Sequence, residues 1–214
     1  MSKKFFKKFE NGDFRVTIFG SARIKKETQI YNQIKTLAKM LGERGFDIVT
    51  GGGPGLMEAA SSGHEKGSKK TGAHSIGIGI KLPKRQGFNM HLNVKKEFNR
   101  FSERLDTFMS LSNVVVVAPG GVGTLLELFY AWQLVQVKHI CDIPIILLGE
   151  QWPSLIKWLE KNPLKNKYLD KKDINLLFLA KNCDEAMKMI DNAHKEHKQG
   201  NKNFCLNYKK YKLY

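Results

Sequence analysis

Short, largely apolar runs alternate with amphipathic stretches along the chain, and three of the runs break directly into glycine or other small residues. Val16-Thr17-Ile18-Phe19 enters Gly20-Ser21-Ala22-Arg23, Phe46-Asp47-Ile48-Val49-Thr50 enters Gly51-Gly52-Gly53-Pro54-Gly55, and Val114-Val115-Val116-Val117-Ala118 enters Pro119-Gly120-Gly121-Val122-Gly123-Thr124. Strands that are apolar on successive residues are covered on both faces, and the helices between them are the crossovers that parallel pairing requires. The pattern predicts an α/β fold: a doubly wound, mostly parallel sheet with helices on both faces, in a single domain. Ligands of such sheets lie beyond the carboxyl ends of the strands, where all three small-residue loops fall.

The other elements fit the same frame. Ile30, Ile34, Leu37, Ala38 and Leu41 repeat at helical spacing, with Gly45 as the residue that ends the helix. Leu56, Met57, Ala59 and Ala60 begin the next helix. Ser75 to Ile80 reads as a third strand, and its alternating glycines predict that another backbone or a ligand passes close to one face. A polar loop, Pro83 to Asn93, precedes a short β-prone stretch, Val94 to Phe98, and a helix over Arg100 to Leu111. Beyond the third glycine loop come a helix to about Val135, a strand over Ile143 to Leu148, a helix from Trp152 to Leu159 and a last strand at Leu176 to Leu179. Asp184 is the expected cap of a final helix. The expected organisation is a basic extension over 1–13, a nucleotide-binding domain over 14–198 and a basic, aromatic tail over 199–214.

Composition narrows the class. The 214 residues are 42% apolar, enough for a packed core, and no run of 18 uncharged apolar residues predicts a membrane span. The three cysteines, Cys141, Cys183 and Cys205, are widely spaced, without CxxC or a neighbouring His cluster. That predicts a reduced, cytoplasmic protein with no structural metal. Lys and Arg total 36 against 20 acidic residues, a net charge of +16. A solvated lysine-rich surface is the first reading of that excess. Steering of anionic substrates and contact with nucleic acid are the other two, the last suggested by Phe204, Tyr208, Tyr211 and Tyr214 among the tail lysines.

The chemistry concentrates in the glycine loops. Glycines let a backbone approach an anion closely, and the first N–H groups of the following helix point at it. Glu127 lies about one turn beyond the loop at Pro119, where a carboxylate can reach a sugar whose phosphate the loop holds. The loop at Gly51 is neither GxGxxG nor a Walker loop, since no Lys-Ser/Thr follows, so a nicotinamide or ATP site is disfavoured. No cofactor is expected.

Taken together, Gly51-Gly52-Gly53-Pro54-Gly55-Leu56-Met57-Glu58-Ala59-Ala60, then Arg104, then Pro119-Gly120-Gly121-Val122-Gly123-Thr124-Leu125-Leu126-Glu127 resemble the LONELY GUY family of nucleoside 5′-monophosphate phosphoribohydrolases. The resemblance runs from about Val16 to Ala186 and includes Gly20-Ser21-Ala22-Arg23 and Leu82-Pro83…Gln86-Gly87…Asn89. It implies a Rossmann-like fold, a homodimer with its site near the interface, and hydrolysis of an N-glycosidic bond to free base and ribose 5-phosphate. By position, Arg104 and Glu127 match the family's catalytic pair. Gly20, Ser21, Gly52, Gly53, Gly120, Gly121, Gly123 and Thr124 match its nucleotide-binding loops, and Glu58 a nucleotide contact. Leu126 stands where many members have glutamate, Leu105 where many have a basic residue, and Phe101-Ser102-Glu103 where Met-His-Glu is common. These departures bear on base choice more than on the reaction.

The substrate expected on this reading is AMP or an N6-modified AMP. The competing readings are a non-catalytic binder of phosphorylated ligands and a single-stranded nucleic-acid binder. Lysine decarboxylation, a label often attached to the family, finds no assigned Schiff-base lysine in the sequence.

Overall fold

The computed structural model describes residues 13–83 and 87–199. The expectations for the N-terminal extension up to residue 12, for Gln86, and for Cys205 and the aromatic tail lie outside the described residues.

Seven strands are present: β1 (Arg15–Phe19), β2 (Asp47–Thr50), β3 (Ser75–Ile80), β4 (Val94–Phe98), β5 (Val114–Val117), β6 (Ile145–Leu148) and β7 (Leu177–Ala180). Every pairing among them is parallel, in the order β4-β3-β2-β1-β5-β6-β7. The chain winds outward from β1 to β4, returns to β5 beside β1, and winds outward again to β7. β1 and β5 therefore flank the topological switch point, where such folds open a crevice.

The crossovers are α1 (Gln29–Glu43), α2 (Leu56–Gly67), α3 (Phe101–Leu111), α4 (Val122–Gln136), α5 (Trp152–Leu159), a short α6 (Lys171–Ile174) and α7 (Cys183–Lys198). Alternate strand residues feed two cores. Val16, Ile18, Ile48, Val114 and Val116 pack under α1, α2 and α7, while Phe19, Val49, Ile76, Ile78, Val115 and Val117 pack under α3, α4 and α5. α1 and α2 approach so closely that a Cβ on Gly63 or Gly67 would lie 2.0 or 2.1 Å from the Lys35 or Lys39 carbonyl oxygen. That contact fixes where α2, and the glycine loop before it, sits.

Two local expectations change. Asn182, not Asp184, caps α7: its side chain accepts from the Glu185 N–H at 2.9 Å. Asp184 sits in the first turn, where its charge suits the helix dipole. α6 was not foreseen in the stretch after α5, where Asp170 and Asp173 form a reciprocal capping box.

The spacing of Gly77 and Gly79 also finds its cause. A Cβ on either residue would strike the Phe88 ring, at 3.3 and 2.7 Å, and one on Gly77 would also meet Leu92 at 2.6 Å and the Gly52 backbone at 3.3 Å. A neighbouring loop, with its aromatic side chain, occupies the face that the glycines leave bare.

Candidate active site at the carboxyl edge of the sheet

The three small-residue loops meet as the sequence predicts. The Ser21 N–H donates to the Pro119 carbonyl at 3.0 Å, and the Ser21 carbonyl accepts from the Leu56 N–H at 2.9 Å. Ser21 thus ties the loop after β5 to the start of α2. Gly20 fits between them, because a Cβ there would lie 3.0 Å from Leu56 and 3.3 Å from Ala118. Both residues join the other two loops.

The loop between β2 and α2 is braced. Asn89 Nδ2 donates to the Gly52 and Gly53 carbonyls at 3.1 and 3.0 Å, and the Asn89 N–H to the Gly52 carbonyl at 2.8 Å. Gly55 adopts φ +66°, a left-handed conformation, with the Ser21 carbonyl oxygen 2.5 Å from where a Cβ would stand. Glycine is required there by the chain itself.

Beneath this loop Arg104 and Glu127 meet. Each is only 8% exposed, far from the solvent-facing positions that an isolated helix Arg or Glu would take. Arg104 comes from α3, donates from Nε to the Ile78 carbonyl at 2.8 Å and from Nη1 to Glu127 Oε1 at 3.0 Å, and lies over the Phe108 ring at 4.8 Å. Gly51 makes room for it, since a Cβ there would stand 2.7 Å from Arg104 Nη2. Burial pushes the Glu127 carboxyl up from 4.5 to about 6, with Arg104 holding it back from going further. A carboxylate poised near 6 is largely ionised at neutral pH and still basic enough to take a proton.

Glu127 stands in the second turn of α4; of the other predicted residues, Gly123 and Thr124 lie in its first turn, and Gly120 and Gly121 immediately precede it. Gly121, Val122 and Gly123 are exposed and Thr124 is buried. The opening N–H groups of a helix have no acceptor within it, so this end suits an anion. Gly120 packs against Thr124, whose Oγ1 lies 2.1 Å from where a Gly120 Cβ would be.

The cleft beside Arg104 is lined by Gly51 to Gly53, Met57, Gly79, Ile80, Leu82, Gly87, Phe88 and Glu97. No lysine is among the described residues that line it. Glu58 is set apart from the pair: it bonds Lys26 at 2.8 Å and faces an adjoining hollow of about 280 Å³ with Pro54, Asn89 and Met90. The histidines lie elsewhere. His64 is fully buried against the Phe46 carbonyl at 2.8 Å, His74 lies by Asp47, and His91 bonds Glu65 at 2.6 Å. Among the described residues no cluster of three or more His, Cys, Asp or Glu side chains could hold a metal, and no helix is long and apolar enough to cross a membrane.

Sequence reasoning missed two amides, Asn89 as a brace and Gln151 beside Gly120. Amide side chains in loops carry no periodic signal, and Asn89 stood out only as part of a motif. Leu126, one of the departures from the family pattern, does not line the cleft beside Arg104. It is 44% exposed on the outer side of α4 with Val122 and Phe129, pointing its departure toward the helix's free face rather than the cleft.

Residues 56–190 match the family described as possible lysine decarboxylase, the LONELY GUY family. The chain belongs to this family. It is 29% identical over 140 residues to the pyrimidine/purine nucleotide 5′-monophosphate nucleosidase of Escherichia coli strain K12. That match covers 63% of this chain and 30% of the relative, so the chain spans less than a third of the length of the curated relatives it matches. Among solved structures, the molybdenum cofactor binding protein of Rippkaea orientalis superposes with a TM-score of 0.63 at 20% identity, over 84% of this chain and 96% of that one. The molybdenum cofactor carrier protein of Chlamydomonas reinhardtii gives 0.61 at 22% identity, over 86% and 99%. DNA processing protein A of Helicobacter pylori gives 0.51 at 19% identity, over 86% and 81%. These three likenesses are of fold.

Proposed function

We propose that the protein hydrolyses the N-glycosidic bond of a purine nucleoside 5′-monophosphate, AMP or an N6-modified AMP, releasing the base and ribose 5-phosphate. The observation that carries this reading is the buried Arg104–Glu127 pair standing just behind an exposed helix N-terminus. From Val122 to Glu127 the helix rises about 7.5 Å, which spans a sugar phosphate. With the 5′-phosphate on the N–H groups of Gly121 to Thr124, the ribose lies over Glu127. Breaking the bond to the base leaves oxocarbenium character on the sugar, which the carboxylate stabilises. The same carboxylate orients the attacking water and takes its proton, while Arg104 fixes its position and keeps it ionised.

Membership of a family described by lysine decarboxylation does not alter this reading, because the described residues that line the cleft include no lysine for a Schiff base, and Arg104, which does line it, bonds the Glu127 carboxylate. The 5′-monophosphate nucleosidase of Escherichia coli supports it as a distant relative.

The reading includes a homodimer. Val122, Leu126 and Phe129 are 85%, 44% and 38% exposed and follow one another at helical spacing along the outer side of α4, beside Tyr168 at 84%. A second copy seated there would cover apolar surface next to the site. Phe129→Glu is expected to convert the dimer to monomer in sedimentation equilibrium, and a wild type that sediments as monomer contradicts this part.

The functional test is a panel of purine and pyrimidine 5′-monophosphates set against their nucleosides, with released base assayed for each. Release from AMP-like monophosphates, with little from nucleosides, is the expected result. Tight nucleotide binding without release from any member would instead favour a carrier of phosphorylated ligands, the reading suggested by the fold likeness.

A further inference from the structure

The Pro119–Gly120 segment is gripped from outside the site. Gln151 places its side-chain amide against the Gly120 peptide: the Gly120 N–H donates to Gln151 Oε1 at 3.0 Å, and Gln151 Nε2 donates to the Gly120 carbonyl at 3.0 Å. The clamp stands on a firm base. Gln151 immediately precedes Trp152, which is fully buried, and Gly149 at φ +124° packs so tightly on Pro119 that a Cβ would lie 2.7 Å from its ring. From the opposite side the Ser21 N–H holds the Pro119 carbonyl. The loop is thereby fixed between the strand ends on either side of β5, β1 through Ser21 and β6 through Gln151.

We propose that Gln151 is a positioning residue for the anion loop, an inference that rests on the nucleotide-hydrolase reading. Both polar groups of the Gly120 peptide are already paired, so Gly120 itself gives the phosphate no N–H. Recognition falls to the N–H groups of Gly121 to Thr124, and Gln151 sets where they point. The glycine at 120 is explained by Thr124, whose side chain fills the place of a Cβ. Gln151 touches no reacting atom, so its contribution appears in phosphate affinity and not in the chemical step.

The test compares wild type, Gln151→Leu and Gln151→Glu by calorimetric titration with ribose 5-phosphate and with ribose, alongside KM and kcat for a nucleoside monophosphate. The leucine removes both bonds. The glutamate keeps the acceptor for the Gly120 N–H, loses the donor and adds a negative charge near the anion. Loss of the pair is expected to raise the Kd for ribose 5-phosphate and the KM about tenfold, with kcat within about twofold, as for one or two lost hydrogen bonds acting at a distance. Ribose affinity and melting temperature should hardly move, because the side chain is exposed. A Gln151→Leu protein that binds ribose 5-phosphate like wild type, or that loses ribose and ribose 5-phosphate equally, overturns the clamp. If wild type releases base while Gln151→Leu binds normally, the clamp fails and the hydrolase reading stands. A wild type with no preference for the phosphorylated sugar brings down both.

Discussion

The two main glycine loops look alike in sequence and differ in why they need glycine. In the loop after β2, Gly52 and Gly55 adopt left-handed conformations, and a Cβ on Gly51, Gly52 or Gly55 would collide with Arg104, Phe88 or Ser21. In the loop after β5 no glycine has a positive φ, and a Cβ on Gly121 or Gly123 would meet nothing within 4 Å. The first loop's glycines are demanded by the protein's own packing. Those at 121 and 123 are not, which fits a site whose bare backbone is kept for an incoming anion. One loop builds the wall against which Arg104 packs; the other leaves bare backbone, which on the proposed reading meets the ligand.

Substitutions in and between the two loops put that contrast to the test. The largest effect is expected from Glu127→Gln, on the pair that the two loops enclose. Turnover should fall by about 10³-fold or more, as when a group acting chiefly on transition-state charge is removed. Ribose 5-phosphate binding, measured by titration, should be retained. The same variant has a pH signature. Because the folded carboxyl is raised from 4.5 to about 6, its contribution to stability is present below pH 4.5 and is lost as pH rises through 6. Ionised Glu127 then costs the fold roughly 2 kcal/mol. Denaturant titrations should show that loss in wild type and not in Glu127→Gln.

Arg104→Met comes next. Removing the guanidinium lets burial raise the Glu127 carboxyl above 6, so the acid limb of the kcat profile should move to higher pH, with turnover about 10²-fold lower at neutrality. An unmoved limb would mean that the two side chains do not communicate.

Gly55→Ala addresses the wall. A left-handed alanine facing the Ser21 carbonyl should cost about 2–4 kcal/mol, lowering the melting temperature by roughly 5–15 °C in a domain of this size. Gly123→Ala, on the other loop, should leave the melting temperature unchanged or slightly higher, since alanine favours a helix by about 1 kcal/mol over glycine. Its effect should appear as weaker ribose 5-phosphate binding, about tenfold. Equal thermal losses in both variants would erase the distinction between the loops.

Much of this architecture was legible in the sequence because it rests on period and composition. Val114 to Val117 is apolar at every position, as a strand between two layers of helices must be, and the break into Pro119-Gly120 marks its end without ambiguity. Arg104 and Glu127 were legible through motif spacing, although their burial was not; an Arg and a Glu on separate helices carry no sign that they will face each other. The contacts that position the site were the least visible. Asn89 and Gln151 act across 36 and 31 residues of chain through single amide groups, and no local pattern announces such a contact. Leu126 shows the reverse case: its departure from the family pattern was plain, but only the helix orientation reveals that it faces outward.

On the proposed function the bond between sugar and base is the one that breaks, and analysis of the products decides it. Incubating the purified protein with AMP and separating the products by chromatography should give adenine and ribose 5-phosphate in equal amounts, with neither adenosine nor free phosphate. Adenosine with phosphate, or AMP left intact under conditions where it binds, would contradict it.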